Sequence, residues 1–250
     1  CSASNLVSGH TVTCTNSGTI TSAGSTINTL STVVIKDANG TDVTKNYAIT
    51  KANGTLTVNK NNVAVTWGST TTFTYNGSSH GPSLSSTSLT GANSETVYIT
   101  ITSGAQATSA GTYTAKAACV HVYKGSETKS CDNYTLSGET KSYTISKATP
   151  TITLSATSGS VVKGRKLTFT EKANVAGKFT NASGTTSVAT VSPASNSTAV
   201  TANTAQTVTV TGVTNGSSII TVKFVPTDTT NYNNAVAKTY TATILKSATI

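Results

Sequence analysis

The sequence predicts an all-β protein, a row of small β-sandwich units in an extended array. Three observations predict it. Only 10% of the 250 residues are charged, while Thr and Ser supply roughly a third of the chain, which reverses the ordinary balance of a soluble surface. Apolar residues alternate with Thr or Ser in short runs, as in Thr151-Ile152-Thr153-Leu154 and Thr207-Val208-Thr209-Val210-Thr211. Such alternation buries one face of a strand and wets the other. Finally, one closing segment occurs three times.

Composition supports strands over helices. Thr is β-branched and fits a half-solvated pleated strand. Met is absent, Arg165 is the single arginine, and Glu and Leu are few, so helix formers are scarce. Disorder is the competing reading of a Ser/Thr/Gly-rich chain, but the regular alternation and only 4 Pro argue against it. No apolar run approaches the roughly 20 residues that a membrane-crossing helix needs. No signal-peptide pattern is present. The chain opens at Cys1 without an initiator Met, as expected of a processed or excised piece of something longer.

The closing segments fix the domain borders. Asn46-Tyr47-Ala48-Ile49 leads to Leu56-Thr57-Val58-Asn59-Lys60, and Asn133-Tyr134-Thr135-Leu136 leads to Tyr143-Thr144-Ile145-Ser146-Lys147. Asn231-Tyr232 leads to Tyr240-Thr241-Ala242-Thr243-Ile244-Leu245-Lys246. One supersecondary unit used repeatedly is how arrays reveal themselves, and a spacing near 90 residues is the size of a small sandwich. The predicted domains are residues 1–60, 61–149 and 150–250. The first is a smaller or truncated copy that lacks its opening strands. Linkers of two or three residues restrict how far neighbours swing.

Hairpin punctuation lies inside each unit. Asp37-Ala38-Asn39-Gly40 separates Val33-Val34-Ile35 from Thr41-Asp42-Val43. Asn53-Gly54 separates Tyr47-Ala48-Ile49 from Leu56-Thr57-Val58, and Asn215-Gly216 separates Val208-Thr209-Val210 from Ile219-Ile220-Thr221-Val222. Asn-Gly suits a tight turn because both residues tolerate positive φ.

The net charge is +9, and residues 150–250 hold +6 of it. The densest spot is Lys163-Gly164-Arg165-Lys166, followed by Lys172 and Lys178. Nucleic-acid binding calls for aromatic residues interleaved with Arg and Lys, and only Phe169 and Phe179 lie nearby, so no nucleic-acid partner is expected. A solvated loop or a Lys-blunted edge strand explains the cluster better; attraction to an anionic surface polymer is the other reading.

The four cysteines fall into two local pairs, Cys1 with Cys14 and Cys119 with Cys131. Neither pair has zinc-knuckle spacing. Even parity favours two disulfides, each contributing about 2–3 kcal/mol by loop-entropy reasoning, and implies an oxidising, extracytoplasmic compartment. A lipid-modified Cys1 is the alternative.

At these residues the chain resembles tandem immunoglobulin-like (Ig-like) repeats of Gram-positive surface proteins and adhesins. The second unit is similar to the MBG type through Phe73-Thr74-Tyr75-Asn76-Gly77, Ser109-Ala110-Gly111-Thr112-Tyr113-Thr114-Ala115 and Asn133-Tyr134-Thr135-Leu136. The first resembles the second half of a related repeat, through Leu6-Val7-Ser8-Gly9-His10-Thr11-Val12 and Val33–Gly40. The third is similar to another bacterial Ig-like class through Val222-Lys223-Phe224-Val225-Pro226-Thr227-Asp228 and Asn231-Tyr232. The resemblance implies stalk or adhesin modules on a bacterial surface or cell wall, with neighbouring repeats as partners. It names no ligand, and the Cys pairs depart from the pattern.

A catalytic constellation is not evident. His10, His80 and His121 have no nearby acid in sequence, and each reads as a strand or loop residue. The eight carboxylates are scattered, whereas a glycosidase needs two facing each other. Asp37, Asn39 and Asp42 approach a calcium loop only faintly, and a hairpin explains them better. Phosphate-loop, HExxH and GxSxG patterns are absent. No cofactor, metal or catalytic residue is therefore assigned. Trp67 and the recurring Tyr47, Tyr134 and Tyr232 read as packing residues, the tyrosines as corner-fixing hydrogen-bonders. Lys–Asn cross-links of the kind found in some Gram-positive domains need a buried acid, and no diagnostic motif marks one. Asn-X-Ser/Thr sequons, for example at Asn39, Asn133 and Asn215, follow from composition.

The expected function is a non-enzymatic extracellular stalk or filament segment. The alternatives are a module that grips a host glycoprotein, immunoglobulin or glycan, and an Ig-like decoration domain of a phage or virion.

Overall fold

The computed structural model describes residues 1–247. Twenty strands are present among the described residues. They are β1 (Thr11–Asn16), β2 (Gly24–Asn28), β3 (Leu30–Lys36), β4 (Gly54–Val58), β5 (Asn61–Ala64), β6 (Thr72–Thr74), β7 (Ser88–Thr90), β8 (Thr96–Ser103), β9 (Gly111–Lys124) and β10 (Glu127–Lys129). The remainder are β11 (Tyr134–Ser137), β12 (Thr140–Ser146), β13 (Ile152–Leu154), β14 (Ser158–Val162), β15 (Lys166–Ala173), β16 (Gly177–Ser183), β17 (Ala189–Ser192), β18 (Gln206–Gly212), β19 (Gly216–Pro226) and β20 (Lys238–Leu245). Among the described residues, helix is limited to three short 3-10 turns. The protein is all-β, as its composition requires.

The chain forms two compact units. One comprises Cys1–Gly68, Ser83–Ser103 and Lys116–Lys141; the other comprises Ser69–Pro82, Gly104–Ala115 and the chain from Ser142 onward.

In the first unit β1 pairs antiparallel with β3, β2 with β4, β7 with β8, and β8 with the later residues of β9. The strand β11 pairs parallel with β5. Burial follows the period of two. Val97 and Ile99 of β8 face Val63, Ala117, Val122 and Tyr134, with Trp67, Leu84 and Leu136 packed around them.

The second unit contains a sandwich whose two sheets are ordered β13-β15-β18-β17 and β14-β20-β19-β16. Inward residues of both sheets, among them Phe169, Val208, Val210, Phe179, Val222, Phe224 and Ile244, form one core. Phe169 of the first sheet stacks on Tyr240 of the second at 4.2 Å between ring centroids. Ring stacking of this kind adds about 0.5–1.5 kcal/mol beyond area burial.

Two expected hairpins are absent. Residues 47–53 are not a strand; β4 starts at Gly54 and takes the distant β2 as partner. The Asn53 side chain instead accepts the Leu30 backbone N–H at 3.1 Å. Asn215-Gly216 does turn the chain, with Gly216 at φ +144°, but it joins β18 to β19, which lie in different sheets. Turn chemistry sets where a chain reverses, while burial decides which strand it then pairs with. The Asp37–Gly40 turn forms as expected, closed by Gly40 N–H on the Asp37 carbonyl at 3.0 Å.

Candidate functional site

The recurring Asn-Tyr pairs sit at stations of one design. Each is preceded by a turn that a short polar side chain closes on the backbone. Asp42 accepts Thr44 N–H, Ser130 accepts Asp132 N–H, and Asp228 accepts Thr230 and Asn231 N–H. These are Asx and Ser/Thr turns, local alternatives to a strand ladder. The Thr44 hydroxyl, and after it the Thr44 N–H, hold the Asp42 carboxyl below the usual carboxylate range; the Asn231 side-chain amide, and after it the Asn231 N–H, do the same for Asp228.

Two of the asparagines then reach far along the chain. Asn133 Oδ1 accepts Ala23 N–H at 2.8 Å, and Asn231 Oδ1 accepts Ala110 N–H at 2.7 Å. Both partners are the central residue of a Ser-Ala-Gly triplet, 22–24 and 109–111. The triplet recurrence is the sequence signal for this bond, since only the second copy stood out on its own.

The tyrosines lock a second turn. Tyr47 Oη accepts Val7 N–H at 3.2 Å and lies 2.8 Å from His10 Nδ1. Tyr134 Oη accepts Ala92 N–H at 3.0 Å and donates to Glu95 Oε2 at 2.6 Å. In each case a four-residue turn offers its first N–H and its last side chain to one phenol. Burial, followed by the Glu95 bond, pushes the Tyr134 phenol up. A Cβ at Gly91 would lie 2.5 Å from that phenol oxygen, so glycine is required there by close approach. Tyr232 instead packs edge-on against Tyr75 at 5.3 Å.

An aromatic cluster lies on β8 and β9. Tyr98 stacks on His121 at 4.6 Å, and Tyr123 sits 5.8 Å from Tyr98 and 4.8 Å from His121. Tyr123 is 38% exposed and neighbouring Val120 54%. His121 is half-buried within this stack. His80 is half-buried too, stacked on Phe73 and 2.8 Å from Asn76 Oδ1. The three histidines thus lie in separate settings, none beside a carboxylate partner.

Glu171 is fully buried, and it was not singled out in the sequence. It accepts Asn181 Nδ2–H at 3.1 Å, while Asn181 also donates to the Pro193 carbonyl at 3.2 Å. The second Glu171 oxygen and Asn181 Oδ1 have no partner. Desolvation dominates and raises the carboxyl from 4.5 to about 7. An acid beside an asparagine invites a Lys–Asn cross-link, but no lysine among the described residues is buried.

Both cysteine pairs are bonded, Cys1 with Cys14 at 6.0 Å between Cα atoms and Cys119 with Cys131 at 5.9 Å. These spans fall within ordinary disulfide geometry. Lys163, Gly164, Arg165 and Lys166 are exposed at the turn between β14 and β15. Asp37 caps Asn39 and Thr41 N–H, and Asp42 caps Thr44. Trp67 is half-buried and donates its indole N–H to the Gly138 carbonyl at 2.8 Å. No described helix is long and apolar enough to cross a membrane.

No protein-family model matches the sequence, and no curated protein matches it. Solved structures with similarity include domains 1–6 of the surface-layer protein SbsC, at 14% identity and TM-score 0.33, covering 93% of this chain and 46% of that one. WR4, an MSP family member of C. elegans, matches at 13% identity and TM-score 0.32, over 38% of this chain and 97% of its own. A chaperone–tip adhesin complex of CFA/I fimbriae matches at 14% identity and TM-score 0.31, over 39% of this chain and 57% of that one.

Proposed function

We propose that the chain is a non-enzymatic, extracellular structural or adhesive segment, a stalk or filament-forming part of a bacterial surface protein. Its repeats would be residues 1–60, 61–149 and 150–250. The observation that carries the reading is the repeated Asn-Tyr station. Asn133 and Asn231 tie the backbone of a Ser-Ala-Gly triplet that belongs to the preceding repeat. The polar side chains that recur therefore hold backbone to backbone, which is what a load-bearing series needs. Two disulfides fit an oxidising location outside the cell, and a Thr/Ser coat keeps it soluble with few charges.

Force spectroscopy on the chain tethered at both ends tests this. A stalk gives discrete unfolding peaks, with lower forces in Asn133→Ala and Asn231→Ala. Featureless extension at low force refutes it.

A second reading is favoured by the aromatic cluster of Tyr98, His121 and Tyr123, since exposed rings anchor sugars and proteins. In that reading the segment itself binds a host glycoprotein or glycan. Saturable binding to a glycan or serum-protein array that is lost in Tyr123→Ala would establish it.

A further inference from the structure

The outer face of the sheet β13-β15-β18-β17 is a grid of hydroxyls. On β15 the inward Leu167, Phe169 and Glu171 alternate with Lys166, Thr168, Thr170 and Lys172, which turn outward. In register, Thr168 lies opposite Thr209 of β18, and Thr170 opposite Thr207. On the far side of β18, Thr190 lies opposite Thr211 and Ser192 opposite Thr209. Hydroxyls therefore recur about every 4.8 Å across the strands and about every 6.7 Å along them. Elsewhere facing hydroxyls bond each other, as Thr15 does with Ser31, Ser25 with Thr57 and Ser183 with Ser218. Among the described residues, these outward Thr and Ser hydroxyls have no protein partner. Each keeps a donor and its acceptor lone pairs for something else.

The same face is cationic. Lys166 and Lys172 stand at its two ends, roughly 20 Å apart by strand rise, and Lys163 and Arg165 are exposed at the turn that leads into β15. Edge protection does not account for this charge. The strand β15 lies between β13 and β18, and Lys172 sits opposite Thr153, so it blunts no edge. Nor does an acid oppose it. Residues 150–250 contain two carboxylates: Glu171, which is buried, and Asp228, which is engaged by Thr230 and Asn231. The ion pairs among the described residues, Lys116–Glu139 and Lys129–Glu127, lie outside this stretch of chain.

We propose that this face docks an acidic polysaccharide, a linear glycan whose sugars carry carboxylates. Lys166 and Lys172, with Arg165 at the turn, meet the charges. The Thr and Ser grid between them exchanges hydrogen bonds with the sugar hydroxyls. A polyanion without hydroxyls would use the cations alone, and a neutral glycan the grid alone. Unopposed charge set beside unpartnered hydroxyls therefore selects a ligand that has both. Charge complementarity also steers such a ligand to the face from a distance set by ionic strength. The surface is separate from the Tyr98–His121–Tyr123 cluster, which belongs to the other unit, and the inference is independent of the stalk reading.

The test is calorimetric titration of the full chain with oligogalacturonate, with neutral dextran and inorganic polyphosphate as comparison ligands. Saturable binding of oligogalacturonate that weakens with added salt is expected, and no binding of dextran. Lys166→Ser with Lys172→Ser should lower the affinity about tenfold. Thr168→Val with Thr209→Val removes two hydroxyls at unchanged charge and should also lower it about tenfold. Lys178→Ser with Lys223→Ser takes the same charge from the outer face of the sheet β14-β20-β19-β16 and should leave the affinity within about twofold. All six positions point outward, so the urea midpoint of each variant should match the parent. Absence of saturable binding, equal losses from the two lysine pairs, or no effect of the Thr→Val pair overturns the proposal. So does polyphosphate or dextran bound as tightly as oligogalacturonate, because charge or hydroxyls alone would then suffice.

Discussion

Replacing Glu171 by Gln should flatten the pH dependence of stability of the second unit. The carboxyl is fully buried, accepts one amide N–H from Asn181, and has an orphan second oxygen. The residues that meet it there, Asn181 and the cross-strand Leu154 and Gln206, carry no charge. Desolvation therefore raises it from 4.5 to about 7 against a single opposing hydrogen bond. The folded state holds a proton that the unfolded chain releases at lower pH. Its contribution is fully present below about pH 4.5 and is lost as pH rises toward 7. At about 1.4 kcal/mol per unit, the loss amounts to roughly 3 kcal/mol, complete just above neutrality. Gln keeps an amide oxygen for Asn181 and adds an uncharged N–H donor. Urea unfolding at pH 4.5, 5.5, 6.5 and 7.5 should show the parent weakening across the series and Glu171→Gln staying level in this term. By pH 7.5 the variant should be the more stable protein, at unchanged m-value. The depressed carboxyls Asp42, Glu127 and Asp228 act in the acid range below this window. An identical slope in both proteins, or a variant weaker at every pH, refutes the reasoning.

Other perturbations probe the locks. Tyr134→Phe strands the Ala92 N–H and the Glu95 carboxylate, and thermal or urea unfolding should report a loss of about 1–3 kcal/mol. Gly91→Ala drives a methyl into the same phenol and should cost at least as much by the same assay; a neutral effect would mean the contact is loose. Asn133→Ala should cost about 1 kcal/mol through the Ala23 bond, with faster exchange of the Ala23 amide as its local signature. Removing Cys119–Cys131, which closes a separation of 12 residues, by Cys119→Ser with Cys131→Ser should lower stability by about 2–3 kcal/mol, read as a shift of the urea midpoint against the parent under oxidising conditions.

Much of the fold was legible because its signals are local. Alternation of apolar residues with Thr marks β13, β18 and β20 directly, and Cys parity pointed to both disulfides. The Asn-Tyr repeat showed that Tyr47, Tyr134 and Tyr232 hold equivalent places, and two of them do fix a turn. Glu171 was only half legible. The period of two places it on the inward face of β15 with Leu167, Phe169 and Ala173, but nothing in the run reveals that it meets Asn181 from the opposite sheet with a single hydrogen bond. The Tyr98–His121–Tyr123 cluster likewise depends on the register of β8 against β9. Asn53-Gly54 and Asn215-Gly216 carry hairpin chemistry, yet β4 pairs with the distant β2 and β18 and β19 enter different sheets.

Strand period, turn positions and the recurrence of a closing segment are written in residue order, because they arise from backbone sterics and side-chain hydrophobicity within a few residues. Which strand meets which and what acid is stripped of water depend on contacts between residues far apart in the chain, 110 positions for Asn133 and Ala23 and 121 for Asn231 and Ala110. Burial is a property of the packed whole, so only the tertiary structure could decide that Glu171 is enclosed beside Asn181 with one oxygen left unpartnered.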